Sequence, residues 1–248
     1  MSGHNKWSTI KRKKGALDAK RSKAFSKVLK EISVAVKESG PDPDINPRLR
    51  LAISNAKGCN MPKDTLLRAI NKASDKDSAN FSETTYECYA PHGIALFIEC
   101  TTDNMKRTVS NVRSYLNKYS GTLGTNGSLL FLFDRKGIFT IPQANMNLEE
   151  VELDLIDAGA EDISLEDDYY TITTALEDFG AMVKQLEVLK IDAENAELQR
   201  IPKNMEKISV DEAKKVMKLI DVIEEDDDVV NVFHNMEMTD ELMAELDK

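Results

Sequence analysis

Near residue 80 the spacing of apolar residues changes, and that change restricts the fold of this chain more than any other feature. Before it, apolar residues recur every three or four positions; after it, short strand-like runs alternate with helical stretches. From Asp18 to Glu38, Phe25, Val28, Leu29, Ile32 and Val36 share one arc of a helix that Gly40-Pro41 closes. Asp42 to Pro47 is a proline-punctuated loop. Asn46 is placed to cap, and Pro47 to open, a short helix to Lys57, with Gly58 expected as its C-terminal cap. Pro62 starts a third helix, whose expected buried stripe is Leu66, Leu67, Ile70 and Ala73. The polar stretch from Ser74 to Asn80 then reads as a linker.

Beyond the linker, Thr84 to Cys88 and Ile94 to Cys100 are strand-like, Asn104 to Tyr119 is helical, and Leu129 to Phe133 is expected as a buried strand. Next come a strand (Gly137 to Ile141), a helix (Leu148 to Ala158), two strands (Asp162 to Leu165 and Tyr169 to Thr173), a helix (Phe179 to Leu189) and a strand (Ala193 to Ile201). That βαββαβ order is the ferredoxin-like split unit. A final helix, Val210 to Ile223, and strand, Val229 to His234, supply what the earlier ββαβ segment lacks. The predicted fold is therefore α+β with three domains: a basic arm and helical domain over 1–78, an α/β domain made of 79–134 plus 206–248, and a ferredoxin-like α/β domain inserted over 135–205. A length of 248 residues, with 41% hydrophobic and 31% charged, suits a globular chain of that kind.

Charge follows the same division. The formal net charge is −10, yet Met1 to Lys72 holds 17 basic residues against 6 acidic ones, a net of +11, so the remainder carries −21. A polyanion would be attracted to one part and repelled by the other. The densest run is Lys6, Trp7, Lys11, Arg12, Lys13 and Lys14, continuing to Lys20, Arg21 and Lys23. Like charges so close resist compact packing unless a polyanion neutralises them. Lys20, Lys23, Lys27 and Lys30 fall opposite the apolar arc of the first helix, as a row that tracks phosphates or as a solvated face. Trp7 offers a stacking surface for an unpaired base, or else anchors the arm on the protein's own core. Arg48, Arg50, Lys57, Lys63 and Arg68 add positive charge to the helical module, and Asn60, before the third helix, either reads a base edge or phosphate or bonds its own backbone in a turn.

Catalysis finds little support. His4, His92 and His234 are scattered, and none of the common zinc-protease, nucleophile-elbow or phosphate-loop motifs is present, so no enzyme activity, catalytic residue or cofactor is expected. Glycines 121, 124 and 127 lie after a helix and before a strand, the reverse of a phosphate cradle, and read as a connecting turn. Glu224 to Asp228 lacks the pattern of a calcium loop and reads as a solvated turn, so no metal is expected. Cys59, Cys88 and Cys100 make neither a disulfide framework nor a zinc site, which suits a reducing compartment. Without an 18-residue apolar run or a signal-peptide core, the expected location is cytoplasmic, with no membrane partner.

Several of these residues occur together in a known pattern. Gly3-His4 with Lys6-Trp7, Ile10 to Lys14, Asp18 to Arg21, Asn46 to Arg50, Asn60 to Asp64, Thr102 to Asn104, Arg107-Thr108, Leu123-Gly124 and Gly127-Ser128 resemble the YebC/TACO1 family over nearly the whole chain. The resemblance implies three domains and a cytoplasmic DNA-binding transcriptional regulator. It also implies an alternative, a ribosome-associated translational activator. In that case the same basic arm would hold rRNA or tRNA, and in either case the charge division leaves the acidic α/β domains to fix orientation or to meet protein partners. Leu17, Ser22, Cys88, Ala90 and His92 depart from the family pattern, and they bear on backbone geometry near Lys20 to Lys23 and in the first hairpin rather than on the arm's charge.

Overall fold

The computed structural model describes residues 17–75 and 80–246, with side chains from Ser22 to Glu245 within those ranges. The helical part consists of α1 (Leu17–Ser39), α2 (Pro47–Gly58) and α3 (Lys63–Ser74). Ile32, Ala35, Val36, Leu49, Ala52 and Ala73 form its core, with Leu66, Ala69 and Ile70 packed against them. Leu67 does not belong to that stripe: it is 47% exposed, and Ala69 takes the inward position.

Asn46 caps α2 as expected, its side chain accepting from the Leu49 N–H. Its amide also donates to the Ala35 and Gly40 carbonyls, which fixes the loop between α1 and α2. The other end of α2 departs from expectation. Asn60 (φ 57°), not Gly58, takes the left-handed position, with Met61 N–H donating to the Ala56 carbonyl and Asn60 N–H to that of Lys57. Gly58 is the last helical residue and is small for a different reason: a Cβ there would lie 1.8 Å from the Glu194 carbonyl oxygen.

The remaining elements are β1 (Ser82–Tyr89), β2 (Ala95–Thr102), α4 (Met105–Lys118), β3 (Thr122–Leu123), β4 (Phe133–Pro142), α5 (Leu148–Asp157), β5 (Ala160–Glu166), β6 (Tyr169–Ala175), α6 (Phe179–Leu189), β7 (Asn195–Pro202), α7 (Val210–Glu225), β8 (Val229–His234) and α8 (Asp240–Leu246). The fold is α+β, with two four-stranded sheets ordered β3-β1-β2-β8 and β5-β6-β4-β7. The second order places the third strand of the βαββαβ unit between the first and second, as a ferredoxin-like split unit requires.

Two compact units form. One holds Phe81–Asp134 and the chain from Arg200 onward. Its strand β2 is buried on both faces: Leu96 and Ile98 join a core with Val112, Leu116, Val216 and Ile220, while Ala95 and Phe97 pack against Leu129, Phe133 and Phe233. The segment 129–133 is therefore not the strand that its apolar run suggested. Leu130–Leu132 is a 3-10 turn that buries Leu129 and Phe133 and leaves Phe131 67% exposed, and the ββαβ order is completed by the two-residue β3.

The other unit joins the described helical module to Arg135–Gln199. Helix α2 is the link. Leu49 and Ala52 face the bundle, whereas Leu51 packs against the cluster of Phe139, Ile141, Ile172, Met182 and Leu186. The Asn55 amide donates to the Ala196 carbonyl and accepts from its N–H, both at 2.9 Å, so one side chain pairs with edge strand β7 as a neighbouring strand would.

Candidate nucleic-acid interface

Helix α1 forms because Phe25 to Val36 repeat with helical period over its middle turns, and Ile32, Ala35 and Val36 are its most buried residues. Lys23, Lys27 and Lys30 lie on the arc away from them and are half-buried. Lys20 and Arg21 sit on the backbone of α1. Their side chains, and all of Lys6, Trp7, Lys11, Arg12, Lys13 and Lys14, lie outside the described residues.

The two arginines of α2 are already engaged within the unit. Arg48 Nε donates to Glu31 Oε1 at 2.7 Å, Nη2 to Glu31 Oε2 at 3.2 Å and Nη1 to Glu38 Oε2 at 3.0 Å. Arg50 Nη1 donates to the Pro43 carbonyl at 2.7 Å, and its Nε lies 3.4 Å from Glu187 Oε1 on α6. A phosphate at either guanidinium would have to compete with these acceptors. Lys57, Lys63 and Arg68 are exposed, and Asn60 is an exposed residue of the turn between α2 and α3. The sequence alone missed Glu31 and Glu38. Their spacing of seven places both on one face of α1, which was the available signal.

Several residues that carry the family resemblance turn out to hold the first unit together. Asn104 caps α4 by accepting from the Arg107 N–H, while Arg107 and Thr108 reach Asp228 before β8. Asp226 accepts from the Asn111 amide and the Tyr115 hydroxyl, both at 2.9 Å. Burial and that hydrogen bond push the Tyr115 hydroxyl pKa up to about 12. Glu224 to Asp228 is thus not simply a solvated turn, since two of its carboxylates are built into the fold. Similarly, Glu87, 2% exposed, accepts from the Gly127 and Leu129 N–H groups. The glycine-rich segment is therefore a connection held by a buried acid.

Among the described residues no group of three or more His, Cys, Asp and Glu side chains is placed to hold a metal ion. Burial, with the Glu87 charge beside it, pushes the Cys88 thiol up to about 12, so it carries almost no thiolate at neutral pH. Within those residues no helix is long and apolar enough to cross a membrane.

Fold and charge together define a multidomain α+β protein whose cationic helical module is followed in sequence by acidic α/β segments. Comparison with known proteins specifies the kind. Residues 5–76 match the TACO1/YebC protein N-terminal domain, and residues 81–236 the TACO1/YebC second and third domain. A protein of Amoebophilus asiaticus named "Probable transcriptional regulatory protein" is 53% identical over 95% of this chain and 98% of its own. One of the same name from Rubrobacter xylanophilus is 43% identical over 99% of both chains. The crystal structure of a conserved hypothetical protein from Aquifex aeolicus, 39% identical, superposes with a TM-score of 0.81 over 92% of this chain and 95% of that one. This chain belongs to the TACO1/YebC family, and its relatives from Amoebophilus and Rubrobacter are named as probable regulatory proteins.

Proposed function

We propose that this protein is a nucleic-acid-binding regulator of gene expression, a DNA-binding transcriptional regulator that holds phosphate backbone through its basic N-terminal segment and the lysine face of α1. The observation that carries this reading is the placement of Lys23, Lys27 and Lys30 opposite the buried Ile32, Ala35 and Val36, directly after the Lys11-Arg12-Lys13-Lys14 run. Exposed Lys57, Lys63 and Arg68 extend the positive set, and a net of −21 beyond Lys72 disfavours backbone contacts there. The relatives' name supports a regulatory role.

Crosslinking of bound nucleic acid in cells, followed by sequencing of DNA and RNA, tests the reading against a variant with Lys11, Arg12, Lys13 and Lys14 all changed to Ala. Discrete promoter DNA that disappears in the variant is the expected outcome. Ribosomal or transfer RNA that disappears instead would make the protein a translational activator on the ribosome. No change in either pool would remove the basic segment from the account.

A further inference from the structure

Helix α1 carries two acids, Glu31 and Glu38, close to its lysine face. At 3.6 residues per turn, Glu31 lies about 40° around the helix from Lys27, and Glu38 stands seven residues, about 10 Å, further along the same face. Left alone, each carboxylate would repel a phosphate approaching Lys27 or Lys30. Neither is left alone. The guanidinium of Arg48 lies between them, taking both oxygens of Glu31 and one of Glu38 at 2.7, 3.2 and 3.0 Å; the Arg48 and Glu31 side chains are partly buried, and that of Glu38 is 59% exposed.

We infer that Arg48 is a positioning residue for the cationic face: it masks the carboxylates of Glu31 and Glu38, so that the lysine row of α1 presents net positive charge to a phosphate backbone, and it does not itself bind phosphate. The inference rests on the proposed nucleic-acid-binding role of that face. Three features support it. A planar guanidinium can take two carboxylates at once, which a lysine ammonium on a flexible stem does not do with fixed geometry. Arg48 sits at the second position of α2, whose start is fixed by Pro47 and by the Asn46 cap, so its fork is delivered from a rigid element. Asn46 also bonds the Ala35 carbonyl of α1, which holds the two helices in register around the three charges.

The test uses the full-length protein, a labelled 20-nucleotide RNA of mixed sequence and a DNA duplex of the same sequence, titrated at 50 mM salt. A Lys23→Ala, Lys27→Ala, Lys30→Ala variant examines the face itself, and circular dichroism melting checks that each variant folds. If the face binds, the lysine variant weakens binding to at least one probe, and Arg48→Gln does so by about tenfold, as expected when two carboxylates are unmasked beside a phosphate contact. Adding Glu31→Gln and Glu38→Gln to Arg48→Gln restores binding to within about twofold of the unmodified protein or beyond it, because the repelling charges are gone. Persistent weakness in that triple variant would mean that Arg48 contacts phosphate directly and would overturn the inference. An unaltered Arg48→Gln beside a weakened lysine variant would overturn it too, while leaving the proposed function intact. Should Arg48→Gln alone fail to fold, the triple variant, which leaves no carboxylate without its partner, decides: binding within about twofold of the unmodified protein or beyond it is expected, and a persistent weakening contradicts the masking role. A lysine variant with unchanged binding overturns the reading of the face, and the role of Arg48 with it.

Discussion

Arg107 and Asp228, 121 residues apart in sequence, meet in a two-pronged ion pair: Nη2 lies 2.9 Å from both carboxylate oxygens and Nε 3.2 Å from Oδ2. Thr108 adds its hydroxyl at 2.9 Å, and the Asp228 carbonyl accepts from the Thr101 N–H. The pair thereby ties the end of β2, the start of α4 and the entry to β8. The Asp228 side chain is 6% exposed and that of Arg107 46%, so the pair is buried from one side only.

Asp228→Ala should destabilise the first unit by about 2 to 4 kcal/mol, because it strips a hydrogen-bonding partner from a buried cluster. Urea denaturation followed by the near-ultraviolet signal of its tyrosines reads the effect. A loss below about 0.5 kcal/mol would mean that solvent replaces the carboxylate without penalty.

The same residue sets an acid limb. Burial pushes its carboxyl pKa up, but hydrogen bonds from Arg107, Thr108 and Thr102 and the guanidinium charge outweigh that, and the folded value lies below the ordinary one. A depressed folded pKa contributes stability that is fully present above the unfolded carboxylate value of about 3.9 and is lost as pH falls through the folded value. Melting temperature should therefore fall more steeply below about pH 4 in the unmodified protein than in Asp228→Asn. Parallel acid limbs in the two proteins would remove Asp228 from this role.

Glu87 makes a comparable but more local contribution. Replacing it by Ala leaves the Gly127 and Leu129 N–H groups without their acceptor, at a cost of about 1 to 3 kcal/mol. Hydrogen exchange should accelerate at those two amides before it does in β1 or β2, whereas uniform acceleration across the sheet would show that the segment does not open separately.

Where α2 meets the chain entering β7, Gly58→Ala places a methyl group against the Glu194 backbone, where no flexible side chain can yield. A loss of about 3 kcal/mol or more is expected. Asn55→Ala removes both bonds to Ala196 and should be milder, about 1 to 2 kcal/mol. A well-tolerated Gly58→Ala would mean that α2 shifts on β7 freely.

Much of this architecture was legible from spacing and punctuation. The limits of α6 and β8 match the apolar runs Phe179 to Leu189 and Val229 to His234, and the Asn46-Pro47 cap is where its chemistry demands. Reading failed where tertiary contacts decide. Leu129 to Phe133 looks like a strand, but a strand would turn Phe131 to the same face as Leu129 and Phe133, whereas those two pack with Phe97 on β2 and Phe131 is 67% exposed. Gly58 looks like a cap, yet what requires glycine is Glu194, 136 residues away. Asp226 and Asp228 sit in an acidic run whose composition suggests solvent, and only the fold brings Asn111, Tyr115, Arg107 and Thr108 to them. For the interface, lysines could be placed on a helix face from periodicity, but the Arg48, Glu31 and Glu38 cluster joins two helices, and periodicity within α1 shows only that its two acids share a face.

The salt dependence of nucleic-acid binding by the full-length protein, measured by fluorescence anisotropy with the duplex and RNA probes, tests whether its basic face holds phosphate. If the basic segment and the α1 face together neutralise six to ten phosphates, affinity for at least one probe should fall by about 10³ to 10⁵ between 50 and 200 mM salt. Changing Lys11, Arg12, Lys13 and Lys14 to Ala should make that dependence visibly shallower. Binding that hardly varies with salt, or a slope untouched by the four substitutions, would contradict the account.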